Sequence, residues 1–514
     1  MQEYQDQNKA LTEAVQALAK KQDAPGVKEA LAALAEGQTE AAKAIFAKTF
    51  EAKAAEGAAV NRDAAEAARH LGALAFLDNT EEALRWYRRA VEFDPANADG
   101  WNRLGLLYHR KAQLDQAEQA LRKVVALGEA NGDREVIAMG TGNLGLIYQT
   151  RGELDRAEEM HKKSLAINEE LGRQEAMAIQ YGNLGLIYKT RGELDRAEEM
   201  LKKALAINEE LGRQEGIANQ YAGLGLVYQT RGELDRAEEM HKKSLAINEK
   251  LHRQEGIANQ YGSLGNIYQT RGELDRAEEM HKKALAIDEK LGRQEGMAGE
   301  YAGLGLVYQT RGELDRAEEM YKKALASDEK LGRQEGMAGH YGNLGLIYRT
   351  RGELNRAEEM HKKALAIEEK LGRQEGMASG YAGLGLVYQT RGELDRAEGM
   401  HKKALAIEEK LGRQEGMARQ HANLGNIYQT RGELDRAEEM HKKALAIDEK
   451  LGRQEGTASN YGNLGLLYRT RGELDRAEEM YRKSLALFKA VGAAPQVKQV
   501  QAWLDSLNES RAER

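Results

Sequence analysis

Cysteine is absent from the 514 residues, which excludes disulfides, zinc-thiolate sites, iron-sulfur clusters and a thiol nucleophile together. An excess of positive charge is missing too. Lys plus Arg number 76 against 83 Asp plus Glu, a formal net charge of -7, so a strongly basic nucleic-acid binder or membrane-surface protein is not expected. No run of 18 or more apolar residues occurs, and Met1 to Lys9 has no apolar core behind a basic cluster. Neither a membrane span nor a signal peptide is therefore expected, and a soluble cytoplasmic protein is the default. A phosphate loop with its lysine, H-E-x-x-H and a nucleophile elbow are all missing. Gly223-Leu224-Gly225 opens like a dinucleotide fingerprint, but no third glycine and no preceding strand accompany it. The chain is read as non-enzymatic, with no cofactor and no metal.

What the sequence does have is repetition. From residue 141 onward it repeats every 40 residues, with Tyr181, Tyr221, Tyr261, Tyr301, Tyr341, Tyr381 and Tyr461 opening successive copies and Thr141 and His421 in the same column. Nine copies fit. The segment Arg271 to Met280 (RGELDRAEEM) recurs from Arg151 to Arg471, with Asn355 and Gly399 as departures; 101 to 140 is a diverged copy and 63 to 96 a shorter one. Within the 261 copy, Leu274, Ala277, Met280 with His281, Ala284 with Leu285, and Leu291 step by three or four residues, as one face of a helix does. Tyr301, Leu304 and Tyr308 line up on the helix that begins the next copy. Gly272 fits the turn between the two helices and Gly292 the stop after the second, both places where a left-handed residue is cheap. Strand patterning is almost nil. Each copy is thus predicted to be a helical hairpin whose apolar face must stack on its neighbours.

Tyr261, Leu264, Gly265, Tyr268, Ala277, His281 and Ala284 resemble the tetratricopeptide repeat signature, as do Trp101, Leu104, Gly105, Tyr108 and Ala117. The family's late proline is missing from the long copies, where Glu289 stands, so the second helix should run about six residues further than in the 34-residue form. The 40-residue units are similar to those of Pins-type adaptors, kinesin light chains and bacterial sensor arrays, over roughly residues 26 to 490. The resemblance implies an all-α, right-handed superhelical α-solenoid with terminal capping helices and about twelve units. The expected organisation is an N-terminal helix or truncated coiled coil at 1–21, diverged hairpins at 22–140, nine near-identical units at 141–490, and a C-terminal capping helix with a tail at 491–514. Pro495 can begin that helix, with Val497, Val500, Trp503, Leu504 and Leu507 on one face. Leu31, Leu34, Ala42, Ile45 and Phe46 around Gly37 suggest a degenerate first hairpin, and Tyr4, Leu11, Val15 and Leu18 lie near heptad spacing.

Comparison of the copies with one another separates packing from individuality. The second helix hardly changes, whereas the first varies at five columns, represented by Asn259, Gly262, Ser263, Asn266 and Gln269. Apart from the adjacent pair Gly262 and Ser263, these step by three or four residues and form one stripe opposite the packing positions. The first column also holds Asn219 and Arg419. The third holds Asn143, Asn183, Asn343, Asn423 and Asn463, alternating with Gly223, Gly303, Gly383 and Ser263. The fourth holds Asn266 and Asn426 among leucines. The fifth holds Gln149, Gln229, Gln269, Gln309, Gln389 and Gln429, with Lys189, Arg349 and Arg469 in place of glutamine. Amides offer a donor and an acceptor together, which suits a peptide backbone. The family resemblance implies that this stripe faces the concave groove and that its Asn residues grip a ligand's main chain. Small neighbours such as Gly262, Ala302 and Ala382 would leave room for it. A merely solvated polar face is the competing reading. The expected partner is a peptide or protein, with neither nucleic acid nor membrane, and self-association through the first 21 residues is a further reading. An alternative function is the sensor or oligomerisation region of a bacterial multidomain signalling protein.

His161, His241, His281, His361, His401 and His441 share one column with Leu201, Tyr321 and Tyr481. Equivalent residues of successive units should lie on the order of 10 Å apart, too far for one zinc ion with bonds of about 2 Å, so packing is expected. The acids Glu278 and Glu279, four residues before Lys282 and Lys283, read as a solvated face of weak surface ion pairs.

Overall fold

The computed structural model describes residues 27–35, 38–54 and 62–512. The 1–21 segment and Gly37 lie outside the described residues. Two compact units, Met1–Ile267 and Tyr268–Arg514, divide the chain inside one helix. The first contains α1 (Val27–Ala35), α2 (Thr39–Ala54), α3 (Arg62–Asp78), α4 (Thr80–Phe93), α5 (Ala98–Arg110), α6 (Leu114–Asn131), α7 (Arg134–Thr150), α8 (Leu154–Glu170), α9 (Gln174–Thr190), α10 (Leu194–Glu210), α11 (Gln214–Arg231) and α12 (Leu234–Lys250). The division falls in α13 (Gln254–Thr270). The second unit continues with α14 (Leu274–Leu291), α15 (Gln294–Thr310), α16 (Leu314–Leu331), α17 (Gln334–Thr350), α18 (Leu354–Leu371), α19 (Gln374–Arg391), α20 (Leu394–Lys410), α21 (Gln414–Thr430), α22 (Leu434–Lys450), α23 (Gln454–Thr470), α24 (Leu474–Ala490) and α25 (Ala494–Ala512). Among the described residues there is no strand, and each unit is a solenoid of consecutive helix pairs.

Local chemistry sets the hairpin. Gly272 has φ 77° in the turn between the two helices, and Gly292 has φ 66° after the second. At Gly292 the Arg293 N-H reaches the Asp288 carbonyl at 2.9 Å and the Gly292 N-H reaches Glu289 at 3.2 Å, a Schellman arrangement that satisfies carbonyls the helix leaves bare. The helices of a pair pack closely because one carries glycine where the other carries a ring. A Cβ on Gly305 would lie 2.8 Å from Tyr321 Cε1, and one on Gly345 would lie 2.7 Å from His361 Nε2. Around these contacts Leu304, Val307 and Tyr308 of α15 bury against the alanine face of the second helices, Ala277, Ala284, Ala317 and Ala324.

One expected packing position fails. Leu291 is 45% exposed, and its equivalents from Leu171 to Leu451 are exposed too; it is the last residue of its helix, beside the Gly292 stop. In the second unit α25 lays Val500, Leu504 and Leu507 against Leu467, Tyr481 and Phe488. The Trp503 ring sits 5.6 Å from that of Tyr481, and Pro495 stands in the first turn, where a missing N-H costs nothing.

Candidate interaction surface

The side chains that join copies must be set aside before a binding surface can be recognised. Glu278 of α14 accepts from the Tyr308 hydroxyl at 2.7 Å, from Arg316 at 3.0 Å and from Arg311, all in the next copy. Arg311 also holds Asp275 at 2.5 Å. Burial alone would raise the Glu278 carboxyl, but hydrogen bonds from Lys282, Tyr308 and Arg311 outweigh it and hold the group down to about 2. The Arg316 guanidinium lies 3.7 Å above the Tyr308 ring. The same joint recurs within each unit, for instance at Glu158 with Tyr188 and Arg191, and at Glu438 with Tyr468 and Arg471. The expectation of a solvated acidic face is therefore half wrong. Glu279 is 57% exposed and pairs only with Lys283, whereas the Glu278 side chain is 14% exposed and belongs to the seam between copies. The signal was available in the sequence, since Tyr308 and Arg311 recur as faithfully as the acid they serve.

The histidine column is buried, as packing requires. His161 Nδ1 meets Gln180 Oε1 of the next copy at 2.8 Å, His241 meets Gln260 at 2.8 Å and His401 meets Gln420 at 2.9 Å. With a glutamine oxygen accepting, the ring proton sits on Nδ1, and Nε2 is left buried without a donor. Burial pushes His161 down to about 4, although Gln180 works against it, and pushes His361 and His441 equally low. Two positions in the second unit carry a carboxylate in place of the amide: His281 lies 2.7 Å from Glu300, and His340, in the column of Gln180 and Gln260, lies 3.1 Å from Asp328. Among the described residues no cluster of three or more His, Asp or Glu is arranged for a metal.

A second buried polar column was missed by sequence reasoning. Asn168, Asn208 and Asn248 become Asp288, Asp328, Glu368, Glu408 and Asp448 further along, all buried. Glycines of the following copy make room for them. A Cβ on Gly216 would meet Asn208 Oδ1 at 2.1 Å. Arginines cover these groups and reach back to the preceding copy: Arg453 lies 2.8 Å from Asp448 and 3.3 Å from Glu415.

The stripe remains. All twenty of its predicted binding residues sit on first helices, and every one is half-buried or exposed. The alignment is clearest on α21, where Arg419 is exposed and Asn423, Asn426 and Gln429 follow it in half-buried steps. Several members are committed elsewhere. Asn143 donates to Asn102 Oδ1 at 2.7 Å, Ser263 donates to the Asn259 carbonyl at 3.0 Å, and Gln309 accepts from the Tyr321 hydroxyl at 3.0 Å. Asn219 Oδ1 and Arg349 Nε are buried without partners. The small neighbours do not all leave open space. A Cβ on Gly182 would meet Gln220 at 3.2 Å, and Gly223, Gly303 and Gly383 seat Leu201, His281 and His361 of the preceding copy. Part of the alternation in the third column is therefore packing.

Residues 101–259 and 258–410 match the description MalT-like TPR region, 417–490 match Tetratricopeptide repeat and 77–111 match TPR repeat. The chain belongs to the tetratricopeptide repeat family. This tetratricopeptide array is similar in fold to a signal transduction ATPase with numerous domains (STAND) from Pyrococcus horikoshii, a protein with a tetratricopeptide repeat sensor. That match has a TM-score of 0.54 at 16% identity, covering 72% of this chain and 55% of that one. BtubC (BKLC) from P. vanneervenii matches at 24% identity with TM-score 0.39, over 43% of this chain and 92% of its own. The nearly identical TPR-like repeats of a putative kinesin light chain from Podosopora anserina match at 25% identity with TM-score 0.33, over 38% and 96%. No curated protein is similar enough to match. A tetratricopeptide array of this kind is a protein-interaction scaffold, and no helix among its described residues is long and apolar enough to cross a membrane.

Proposed function

We propose that the array is a non-enzymatic scaffold that binds an extended peptide or protein surface along the variable stripe, which forms the wall of its groove. The observation that carries this reading is the line Arg419, Asn423, Asn426 and Gln429 on α21: four polar stripe positions, the first exposed and the others half-buried, where neighbouring copies vary. Asn423 and Asn426 supply paired donors and acceptors for a ligand main chain. Lys189, Arg349, Arg419 and Arg469 favour acidic side chains at scattered points along it. Glu278 and its equivalents have no catalytic part in this reading, since they are spent on the joints between copies.

The test is capture of partners from the source cell, identified by mass spectrometry, with wild type and with Asn423→Ala plus Asn426→Ala. Reduced capture by a variant that melts normally is expected; undiminished capture removes the stripe from the reading.

A second reading is favoured by the likeness to the STAND protein, which carries a tetratricopeptide repeat sensor. In it, this array is the sensing or oligomerising part of a multidomain signalling protein. Size measurement with and without residues 1–21 tests assembly through that segment, and a monomer in both cases ends the coiled-coil version.

A further inference from the structure

We infer that α7 and α9 form an anchoring subsite for a large apolar side chain lying two positions from a carboxylate in an extended partner peptide. This rests on the stripe being the binding face and adds to it a place and a ligand chemistry. The stripe of the first unit is not uniform. On α9 it reads Ile179, Asn183, Leu186, Lys189, and on α7 it reads Met139, Asn143, Leu146, Gln149. Where α9 has Ile179, α11 and α13 have Asn219 and Asn259, and where α9 has Leu186, α13 has Asn266. Leucine recurs at the fourth column in most later copies, as Leu226, Leu306 and Leu346 show, so what sets α7 and α9 apart is an apolar first column, Met139 and Ile179, where later copies have Asn, Gly, Ser or Arg.

Ile179 is 44% exposed. The exposed part of this branched aliphatic side chain adds no hydrophobic stability, and the repeat does not require an apolar residue there, since later copies put Asn, Gly, Ser or Arg in its place. Leu146 and Leu186 are half-buried, the latter two turns along the same helix. The two helices adjoin: Ile147 and Ile187 share a buried cluster with Leu144, and the Gln180 amide nitrogen lies 3.0 Å from where a Cβ on Gly142 would stand.

Polar groups complete the subsite. Asn143 is committed to Asn102. Asn183, between Ile179 and Leu186, has no hydrogen-bond partner among the described residues, so its amide can take a peptide unit lying between two apolar contacts. Lys189, three residues past Leu186, is half-buried and makes no ion pair among the described residues, whereas the nearby Arg191 is held by Glu158 and Asp155. An unpaired cation at the edge of an apolar patch is complementary to a carboxylate. Leu186 and Lys189 are separated by roughly 5 Å of helix rise. Side chains on one face of an extended peptide recur roughly every 7 Å, a gap the flexible lysine spans, which gives the order apolar, any residue, acidic.

Random-peptide display on the full chain tests the subsite. Enriched peptides should carry Leu, Ile, Phe or Met two positions from Asp or Glu. Ile179→Ser with Leu186→Ser should weaken a synthesised winner by about tenfold or more, while the melting curve shows a modest loss of stability with the array still folded at the binding temperature. Lys189→Glu should remove acids from the enriched set. The subsite is overturned if winners lack the apolar residue, or if their affinity survives the double substitution within about twofold. Winners that lose affinity on Asn423→Ala plus Asn426→Ala instead would leave the stripe reading standing and remove the subsite alone. No enrichment at all would remove both.

Discussion

Tyr308 donates to Glu278 Oε1 at 2.7 Å across the joint between two copies, and the contact keeps the phenol protonated and the carboxylate ionised. Burial and that hydrogen bond push the phenol up to about 12, while Lys282, Tyr308 and Arg311 hold the carboxyl down to about 2 against the effect of burial. Glu278→Gln removes the carboxylate that Arg311 and Arg316 share at the joint, although Arg311 keeps Asp275 and Arg316 keeps Glu313, and should cost about 2 kcal/mol. Glu279→Gln, one residue on, removes only an exposed partner of Lys283 and should leave stability unchanged. Urea unfolding of the two variants checks the contrast; equal midpoints would mean that the seam is not where the structure puts it.

Acid should destabilise the array in two windows. His161, His361 and His441 are depressed by burial to about 4 from 6.5, so the unfolded chain binds more protons between those values. Their contribution is complete above pH 6.5 and is lost as pH falls toward 4. The seam glutamates, depressed from 4.5 to about 2, contribute above 4.5 and lose it below. His441 has no partner on either ring nitrogen, and Leu201 fills the same column in another copy. His441→Leu should therefore raise the melting temperature at pH 5 more than at pH 7. A shift independent of pH would show that His441 does not titrate in this window.

The period, the hairpins and the glycine turns were legible in the sequence because each is a local pattern: a spacing of three or four, or a residue that tolerates φ near +70°. The stripe was legible because copies of one chain can be compared. What escaped were polar groups whose role depends on a partner about 20 to 40 positions away. Glu278 looks like Glu279 until Tyr308 and Arg311 are placed over it. Gln180 and Gln260 look like surface residues until they meet His161 and His241. Gly303 reads as open groove until His281 fills the space. Helical periodicity says which face a residue shares, not which neighbour covers that face.

His252 stands where equivalent copies have glycine and adopts φ 53°, like Gly212 at 66° and Gly292 at 66°. A side chain in this region costs roughly 1–2 kcal/mol, partly offset because glycine gains more freedom on unfolding. His252→Gly should stabilise by about 0.5–1 kcal/mol, and Gly292→His should destabilise by a similar amount, since nothing lies within 4 Å of its Cβ position and conformation alone is at stake. Thermal melts of the reciprocal pair test this, and loss of stability in His252→Gly would mean the imidazole makes a compensating contact.

Glycines inside the first helices divide into two kinds with opposite responses to alanine. Gly305 faces Tyr321, whose ring would stand 2.8 Å from a new Cβ, so Gly305→Ala forces the helices of that pair apart and should cost about 1–3 kcal/mol. Gly299 and Gly339 are exposed and meet nothing within 4 Å, so each alanine there should add about 1 kcal/mol of helix propensity. Being in separate copies, the two gains should sum within about 0.5 kcal/mol. These glycines occupy the first stripe column, where Asn259 and Arg419 stand in other copies. If Gly299→Ala with Gly339→Ala stabilises the chain and leaves ligand capture intact, the glycines are only weak points in their helices. If capture falls while stability rises, the missing side chains are what let a ligand backbone approach α15 and α17, and that loss would separate room for a partner from room left by accident.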